Sequence, residues 1–508
     1  MHVVVIYRPP GHLGLFLEEL DTLLSSFPED GTPLVVLGDF NIHLEKPQAA
    51  DFNNLTASFD LKRVPTSATH KSGHFWHITD LHWDPSYGLG SENSASVCAS
   101  SGDRPTPNAG KFGDYLCDSS WALINSSIHA MKDILSDPDF IVWTGDDTPH
   151  VPNERLGEES VLSIIGNLTQ IIKALFPNTK VYSALGNHDY HPKSQMPPEQ
   201  NNLYEQTANL WHDWLDPASK ETFKRGGYYT ENLLNQIGLR VVVLNTNLYY
   251  DQNKLTENMK DPADQFSWAD QVLSDAAKNN EKVYLIGHVP PGFFEKKRNK
   301  PWFREEFNKR YIDLIQKHHT VILGQFFGHH HTDSFRMFYS PNASPIGVMF
   351  LTPGVTPWKT TLPGVVDGAN NPGIRVIEYD TKTLLVKDVV TYFLNLTFAN
   401  VARSRWEKEY RLTEAFRVPD ASPASMHRVI ERISNEKCYL QKYYEFNSVS
   451  YDLTDCNNDC RIDHVCSMRE VDFKDYEKCV LKEGASATGP MLFTLIPSLV
   501  LSLLYVGC

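Results

Sequence analysis

Positive charge is what this 508-residue sequence lacks: 47 Lys and Arg stand against 62 Asp and Glu, a formal net charge of −15 with histidine neutral. A general binder of nucleic-acid backbone needs the opposite balance, so nucleic acid is not a default partner. The opening MHVVVIYRPP lacks a basic n-region, a following apolar stretch and a small-residue cleavage site, and no signal peptide is read there. Cysteine is absent between Cys117 and Cys438, so most of the chain must hold together without covalent staples. What is present is ample: 41% hydrophobic residues over this length bury a large core. Twenty histidines can bring the charge balance toward neutral as they protonate around pH ~6.5, which is compatible with an acidic compartment.

The eight cysteines are uneven. Cys98 and Cys117 lie early, Cys438, Cys456, Cys460, Cys466 and Cys479 cluster late, and Cys508 is last. Such clustering points to disulfides in an oxidising compartment, with a small zinc site or free thiols as the alternative. Sequons at Asn54, Asn125, Asn167, Asn342 and Asn395 agree with secretion but carry little weight. After Cys479 the chain reads KEGASATGP and then the uncharged MLFTLIPSLVLSLLYVGC. Small residues, a polar spacer and a terminal apolar run form the grammar of a glycosylphosphatidylinositol signal, with Gly484 or Ser486 as attachment point. A tail-anchored helix is the second reading. The anchor reading places the secreted protein at the extracellular face of the plasma membrane.

From residue 74 short apolar runs alternate with amphipathic segments, the pattern of a layered α/β domain. Strands are expected at 74–79, 139–144, 180–185, 240–245, 282–287 and 320–327, and helices within 118–136, 158–175, 199–215, 264–278 and 302–317. Five of the six runs end directly in His, Asp or Asn. In open α/β sheets ligands gather beyond the carboxyl ends of strands, so these clusters can meet. Asp80-Leu81-His82 follows the first run, and alternation along an extended backbone is expected to point Asp80 and His82 the same way. Gly145-Asp146 offers a tight turn and a carboxylate that can bridge two ions. Gly186-Asn187-His188-Asp189, Gly287-His288 and Gly328-His329-His330-His331 add an amide oxygen and imidazoles, with His330 turned away from its neighbours.

The order D-x-H, G-D, G-N-H-D, G-H, G-H-x-H, each closing an apolar strand, resembles the calcineurin-like metallophosphoesterases over roughly residues 74–390. FWHITDLHWDPSY, WTGDDTPH, LGNHD, GHVPPG and GHHHTDSF, with the Cys-rich end, look like the acid sphingomyelinase-like phosphodiesterases. The apolar tail fits the lipid-anchored branch rather than the soluble one. No saposin-like segment precedes residue 74, which argues against acid sphingomyelinase itself. The resemblance implies an α/β four-layer sandwich, two mixed sheets flanked by helices, with a small Cys-containing helical subdomain at the C-terminus. It implies two zinc ions, one held by Asp80, His82, Asp146 and His331, the other by Asp146, Asn187, His288 and His329. Manganese or iron suits the same donors. It further gives His188 the task of steadying the phosphorane and His150 that of protonating the leaving group. By resemblance Cys98 pairs with Cys117, Cys456 with Cys460 and Cys466 with Cys479, which leaves Cys438 without an obvious partner. Aromatics of segment 400–480 are read as core rather than a lipid-binding face.

Residues 1–73 differ. Gly38-Asp39-Phe40-Asn41 after an apolar strand resembles the endonuclease/exonuclease/phosphatase domain of retrotransposon-type reverse transcriptases, but the early catalytic Glu and the closing Asp-His are missing. They are read as a truncated, fused fragment, a genuine structured extension being the alternative, and Asp39 and Asn41 are not expected to act. The expected divisions are 1–73, a metallophosphoesterase domain 74–395, a helical disulfide-containing subdomain 396–483 and the tail 484–508. The expected function is hydrolysis of small extracellular phosphodiesters or phosphoanhydrides such as nucleotides by a monomer. Sphingomyelin cleavage is the rival enzyme reading, and membrane-anchored modulation of receptors the rival of another class.

Overall fold

The computed structural model describes residues 2–7, 34–39, 72–88, 97–107, 109–233 and 238–486. The chain divides into two units, Met1–His70 and Lys71–Cys508. In the first, strands His2–Tyr7 and Leu34–Asp39 pair in parallel. Asn41, the sequon at Asn54 and the apolar tail from residue 487 lie outside the described residues.

The second unit is built on two six-stranded mixed sheets. One runs Trp406–Arg411, Val386–Leu394, Gly373–Asp380, Ser72–Ile78, Phe140–Trp143, Val181–Ser183. The other runs Ser334–Tyr339, Pro345–Leu351, Ile322–Phe327, Lys282–Ile286, Leu239–Val243, Tyr229–Asn232. In the first sheet Ser72–Ile78, Phe140–Trp143 and Val181–Ser183 pair in parallel and the other half is antiparallel; in the second the central strands pair in parallel and the outermost pair at each edge antiparallel. All four residues of Phe140–Trp143 are buried, as a parallel strand covered on both faces requires. The inner faces interlock through Phe75, which meets Phe326 edge-on with ring centroids 5.2 Å apart and tilts against Tyr284 at 5.8 Å. Helices Trp121–Ile134, Glu158–Leu175, Gln265–Lys278 and Glu305–His318 cover the outer faces with amphipathic stripes such as Val161, Ile164, Ile165, Leu168 and Ile172.

The six expected apolar runs form strands that pair in parallel, whereas Pro345–Leu351, which also pairs in parallel, is not among them. Antiparallel strands such as Gly373–Asp380 and Val386–Leu394 are interrupted by polar residues and escaped that criterion. The C-terminal region is helical with its disulfides, and it also contains the strand Trp406–Arg411, which extends the first sheet by pairing with Val386–Leu394. Four helices follow, from Pro423–Asn435 to Phe473–Ser486. Met426, Val429, Ile430, Tyr443 and Val465 join the same core as the sheets. Tyr410, Phe416, Tyr439, Tyr443 and Tyr476 are buried, so these aromatics are core. Disulfides Cys98–Cys117, Cys456–Cys460 and Cys466–Cys479 are formed. Closing a loop the size of the last is worth about 3 kcal/mol. Cys438 is disulfide-bonded as well, which corrects the view that it has no evident partner. Asn125, Asn342 and Asn395 are exposed, and Asn167 is half-buried. Among the described residues no helix is long and apolar enough to cross a membrane.

Candidate metal centre

Ser72–Ile78, Phe140–Trp143 and Val181–Ser183 from one sheet and Lys282–Ile286 and Ile322–Phe327 from the other all deliver their following loops to one buried pole. The local geometry differs from simple strand alternation. Asp80 and His82 have φ of +49° and +39°, so the chain has left the extended region before either residue. Two left-handed residues, rather than a pleat, aim both side chains at the centre while Leu81 stays in the core. Asp146, His329 and His331 also take positive φ, of +57°, +73° and +61°. Five non-glycine residues in this region, each costing about 1 kcal/mol or more, are held by the fold around them.

Hydrogen bonds fix what each group presents. The Nδ1–H of His82 donates to the Thr148 carbonyl at 2.7 Å, and that of His288 to the Thr144 carbonyl at 2.6 Å. A carbonyl only accepts, so Nδ1 carries the proton and both Nε2 lone pairs face inward. Asp146 Oδ1 accepts from the His188 N–H at 2.7 Å, while Oδ2 lies 3.1 Å from His288 Nε2 and 3.5 Å from His82 Nε2. Asp80 Oδ2 accepts from the Thr79 hydroxyl and the His329 N–H at 2.8 and 3.0 Å. Its Oδ1 is 3.5 Å from His331 Nε2 and 3.7 Å from His82 Nε2, and these two nitrogens are 3.2 Å apart. Asp80, His82 and Asp146 form one group able to hold an ion, and Asp146, His288 and His329 another, with Asp146 common to both. His150 comes close to His82 and His331 in the same way.

Buried polar atoms with no protein partner concentrate here: Asp80 Oδ1, Asn187 Oδ1, His188 Nδ1, His288 Nε2 and both ring nitrogens of His329. A buried acceptor without a donor is costly, and several aimed at one place call for a cation. The electrostatics agree. Burial alone would lower the histidines, yet Asp80 and Asp146 outweigh it and push His82 up to about 9, and Asp146 does the same for His288, also to about 9. The pole therefore favours positive charge, and imidazole, carboxylate and amide oxygen suit a pair of divalent ions.

The family model for calcineurin-like phosphoesterases matches residues 73–333, and that for the acid sphingomyelin phosphodiesterase C-terminal region matches 344–486. Acid sphingomyelinase-like phosphodiesterase 3b of Mus musculus is 61% identical over 432 residues, covering 84% of this chain and 94% of its own. The Homo sapiens protein of the same name is 58% identical, covering 82% and 92%. The chain belongs to the acid sphingomyelinase-like phosphodiesterase family. Cyclic GMP-AMP phosphodiesterase SMPDL3A of Homo sapiens is 40% identical, covering 80% of this chain and 90% of its own. This member of the family is thus a phosphodiesterase hydrolase with a binuclear metal pole.

Several residues that shape the pole are silent in the sequence reading. Asp189 closes the G-N-H-D motif and takes no part in the expected ligand sets. Its carboxylate accepts the N–H groups of Asp146, Asp147 and Gly186 at 2.7–2.8 Å and so ties the two ligand loops together. A Cβ on Gly186 would lie 2.1 Å from Asp146 Oδ1, so only glycine permits that approach. Asp118 accepts from His150 through Nδ1–H at 3.0 Å and backbone N–H at 2.6 Å, and from the Thr356 hydroxyl at 3.0 Å. Trp358 stacks on the His150 ring at 3.7 Å with 9° between planes. His150 is thereby fixed with Nε2 free. Burial pushes Asp118 up to about 7 and His150 well below its ordinary value, so neither partner favours charge. Burial likewise holds His188 down at about 3. Asp118 follows Cys117 in a loop with no apolar run before it, and only the fold reveals its role. His330 turns away, as expected, toward Glu295 and Trp302.

Proposed function

We propose that the protein is a zinc-dependent phosphodiesterase of the extracellular space, acting on small phosphodiesters and phosphoanhydrides, nucleotides above all. The reading is carried by the convergence of unpartnered buried lone pairs around Asp146. In it, Asp80, His82, Asp146 and His331 hold one zinc, and Asp146, Asn187, His288 and His329 the other. When bound, such a pair supplies Lewis-acid polarisation of the phosphate and acidification of an attacking water. Asp146 sets the spacing of the two sites. His188, neutral and with Nδ1 unpartnered, is placed to hydrogen-bond the phosphoryl oxygens as charge develops. His150, oriented by its Nδ1–H bond to Asp118, presents Nε2 to the departing oxygen; in its imidazolium form, balanced by the Asp118 carboxylate, it would give the Nε2 proton to that oxygen and return to the neutral ring that burial favours. The name of the cyclic GMP-AMP-hydrolysing relative supports a nucleotide substrate, and the disulfides support an oxidising compartment. In this reading Asn125, Asn167, Asn342 and Asn395 carry glycans, and the tail after Gly484 or Ser486 gives way to a lipid anchor.

Sphingomyelin remains the second substrate, because the C-terminal match is to a sphingomyelin phosphodiesterase region. Turnover of a chromogenic phosphodiester, ATP and sphingomyelin by the purified full chain, with metal content measured, decides between them. Chelator-sensitive cleavage of nucleotides but not lipid is the expected result. Cleavage of lipid alone favours the second reading. Failure on every substrate with two metals bound would move the weight to a surface modulator of receptors.

A further inference from the structure

The ligand sets can neutralise one phosphate. A second anionic group on the substrate needs a cation of its own, and Lys193 is held between two loops of the pole. Its backbone N–H donates to Asn153 Oδ1 at 3.0 Å and its Nζ donates to the Val151 carbonyl at 3.1 Å. Val151 directly follows His150. On the other side Ser194 N–H donates to the Asn187 carbonyl at 2.7 Å, and Ser194 Oγ accepts from Asn187 Nδ2 at 3.2 Å. Lys193 is thus pinned between the loop that carries His150 and the loop that carries Asn187 and His188, next to the histidine to which the leaving-group proton is assigned.

The half-buried ammonium has three donors and spends one on Val151. Asp118, Asp146 and Glu154 act on it only through space, and no carboxylate among the described residues bonds it. Lys300, beside the other half of the pole, shows the contrasting case: it is paired with Asp251 at 3.1 Å and lies over the Trp302 ring. We propose that Lys193 is a specificity residue that binds the phosphate of an anionic leaving group. It selects phosphoanhydrides and nucleotidyl esters over esters whose leaving group carries no phosphate, such as a lipid alcohol.

This rests on the reading of the pole as a nucleotide phosphodiesterase. The test is kcat/KM for ATP and for bis(p-nitrophenyl) phosphate in the full chain and its Lys193→Gln and Lys193→Arg variants. The ratio of the two values is expected to fall about tenfold in Lys193→Gln, the loss of one charge-assisted bond, and to recover in Lys193→Arg. Added salt is expected to erode the wild-type ratio and not that of Lys193→Gln. ATP cleavage with a ratio unmoved by Lys193→Gln, or equal losses on both substrates, overturns the assignment and leaves the nucleotide reading standing. A wild-type protein that cleaves sphingomyelin and not ATP overturns both.

Discussion

Two buried polar clusters lie back to back across the single tripeptide His329-His330-His331, and they are built on opposite rules. On the His330 side Glu295 is fully engaged: Oε2 accepts from His330 and Arg336, and Oε1 from Thr332 and Asn447. Trp302 caps the other nitrogen of His330 at 2.7 Å. On the His329 and His331 side, lone pairs from different strands face one another with nothing of the protein between them. Both clusters are buried and charged, so burial and charge do not separate structure from function here. Satisfaction at the centre does: Glu295 and His330 find all their partners within the protein, with Arg336 Nε and Asn447 Oδ1 unpartnered at the edge of that cluster, whereas Asp80, His288 and His329 keep unpartnered atoms at the heart of the pole.

That contrast breaks most sharply at Asp146. Asp146→Asn removes the charge shared by both ligand groups, and a loss of about 10³-fold or more in kcat is expected, with fewer than two metals per chain by elemental analysis. Retention of two metals and of turnover would show that the shared carboxylate is not the bridge. His188→Ala probes the same pole without touching an assigned ligand. Turnover is expected to fall about 10²–10⁴-fold while metal content and Tm stay near wild type; unchanged turnover defeats its assigned role. Glu295→Gln tests the other cluster. It leaves Arg336 buried beside a neutral amide, and a loss of about 3–5 kcal/mol is expected from denaturant unfolding. Protein that remains folded should still bind metal. If Glu295→Gln strips the metal at full stability, the two clusters are one functional unit and the contrast fails.

How far the sequence carries depends on the kind of signal. Asp80, His82, Asp146, Asn187, His288, His329 and His331 each close an apolar run, so strand pattern and side-chain chemistry coincide and the pole is readable as a set. The conformation is not: Asp80 and His82 meet the centre through positive φ, which tertiary contacts impose and no propensity forecasts. Asp118, Trp358 and Glu295 sit in loops without periodicity, and the histidines they hold are 32, 208 and 35 positions away in other loops. The antiparallel strands hid for a related reason. In Gly373–Asp380 and Val386–Leu394 buried polar residues such as Arg375, Asp388 and Thr391 interrupt the apolar run.

The smallest expected effect lies far from the pole and isolates what an ordinary charged pair contributes. Glu378 sits opposite His74 on one neighbouring strand and Asp388 on the other, and Arg411 grips it through two N–H groups at 2.7 and 2.9 Å. Burial would raise the Glu378 carboxyl, but His74 and Arg411 outweigh it and bring it down from 4.5 to about 2. A depressed pKa stabilises the fold above the unfolded value, and that stabilisation is lost as pH falls from about 4.5 toward 2. At face value the shift is worth about 3 kcal/mol, and solvent screening of this half-buried pair reduces it to about 1. Acid also protonates the ligands of the pole and releases metal, which destabilises by a separate route. The two contributions separate if unfolding of wild type and Glu378→Gln is followed between pH ~5 and ~3, about the upper part of the titration range, with chelator present throughout. The gap between the proteins is expected to be about 1 kcal/mol at pH ~5 and to close as the pH falls. A gap that stays constant would mean that Glu378 acts through packing, and that its charge contributes nothing that acid can remove.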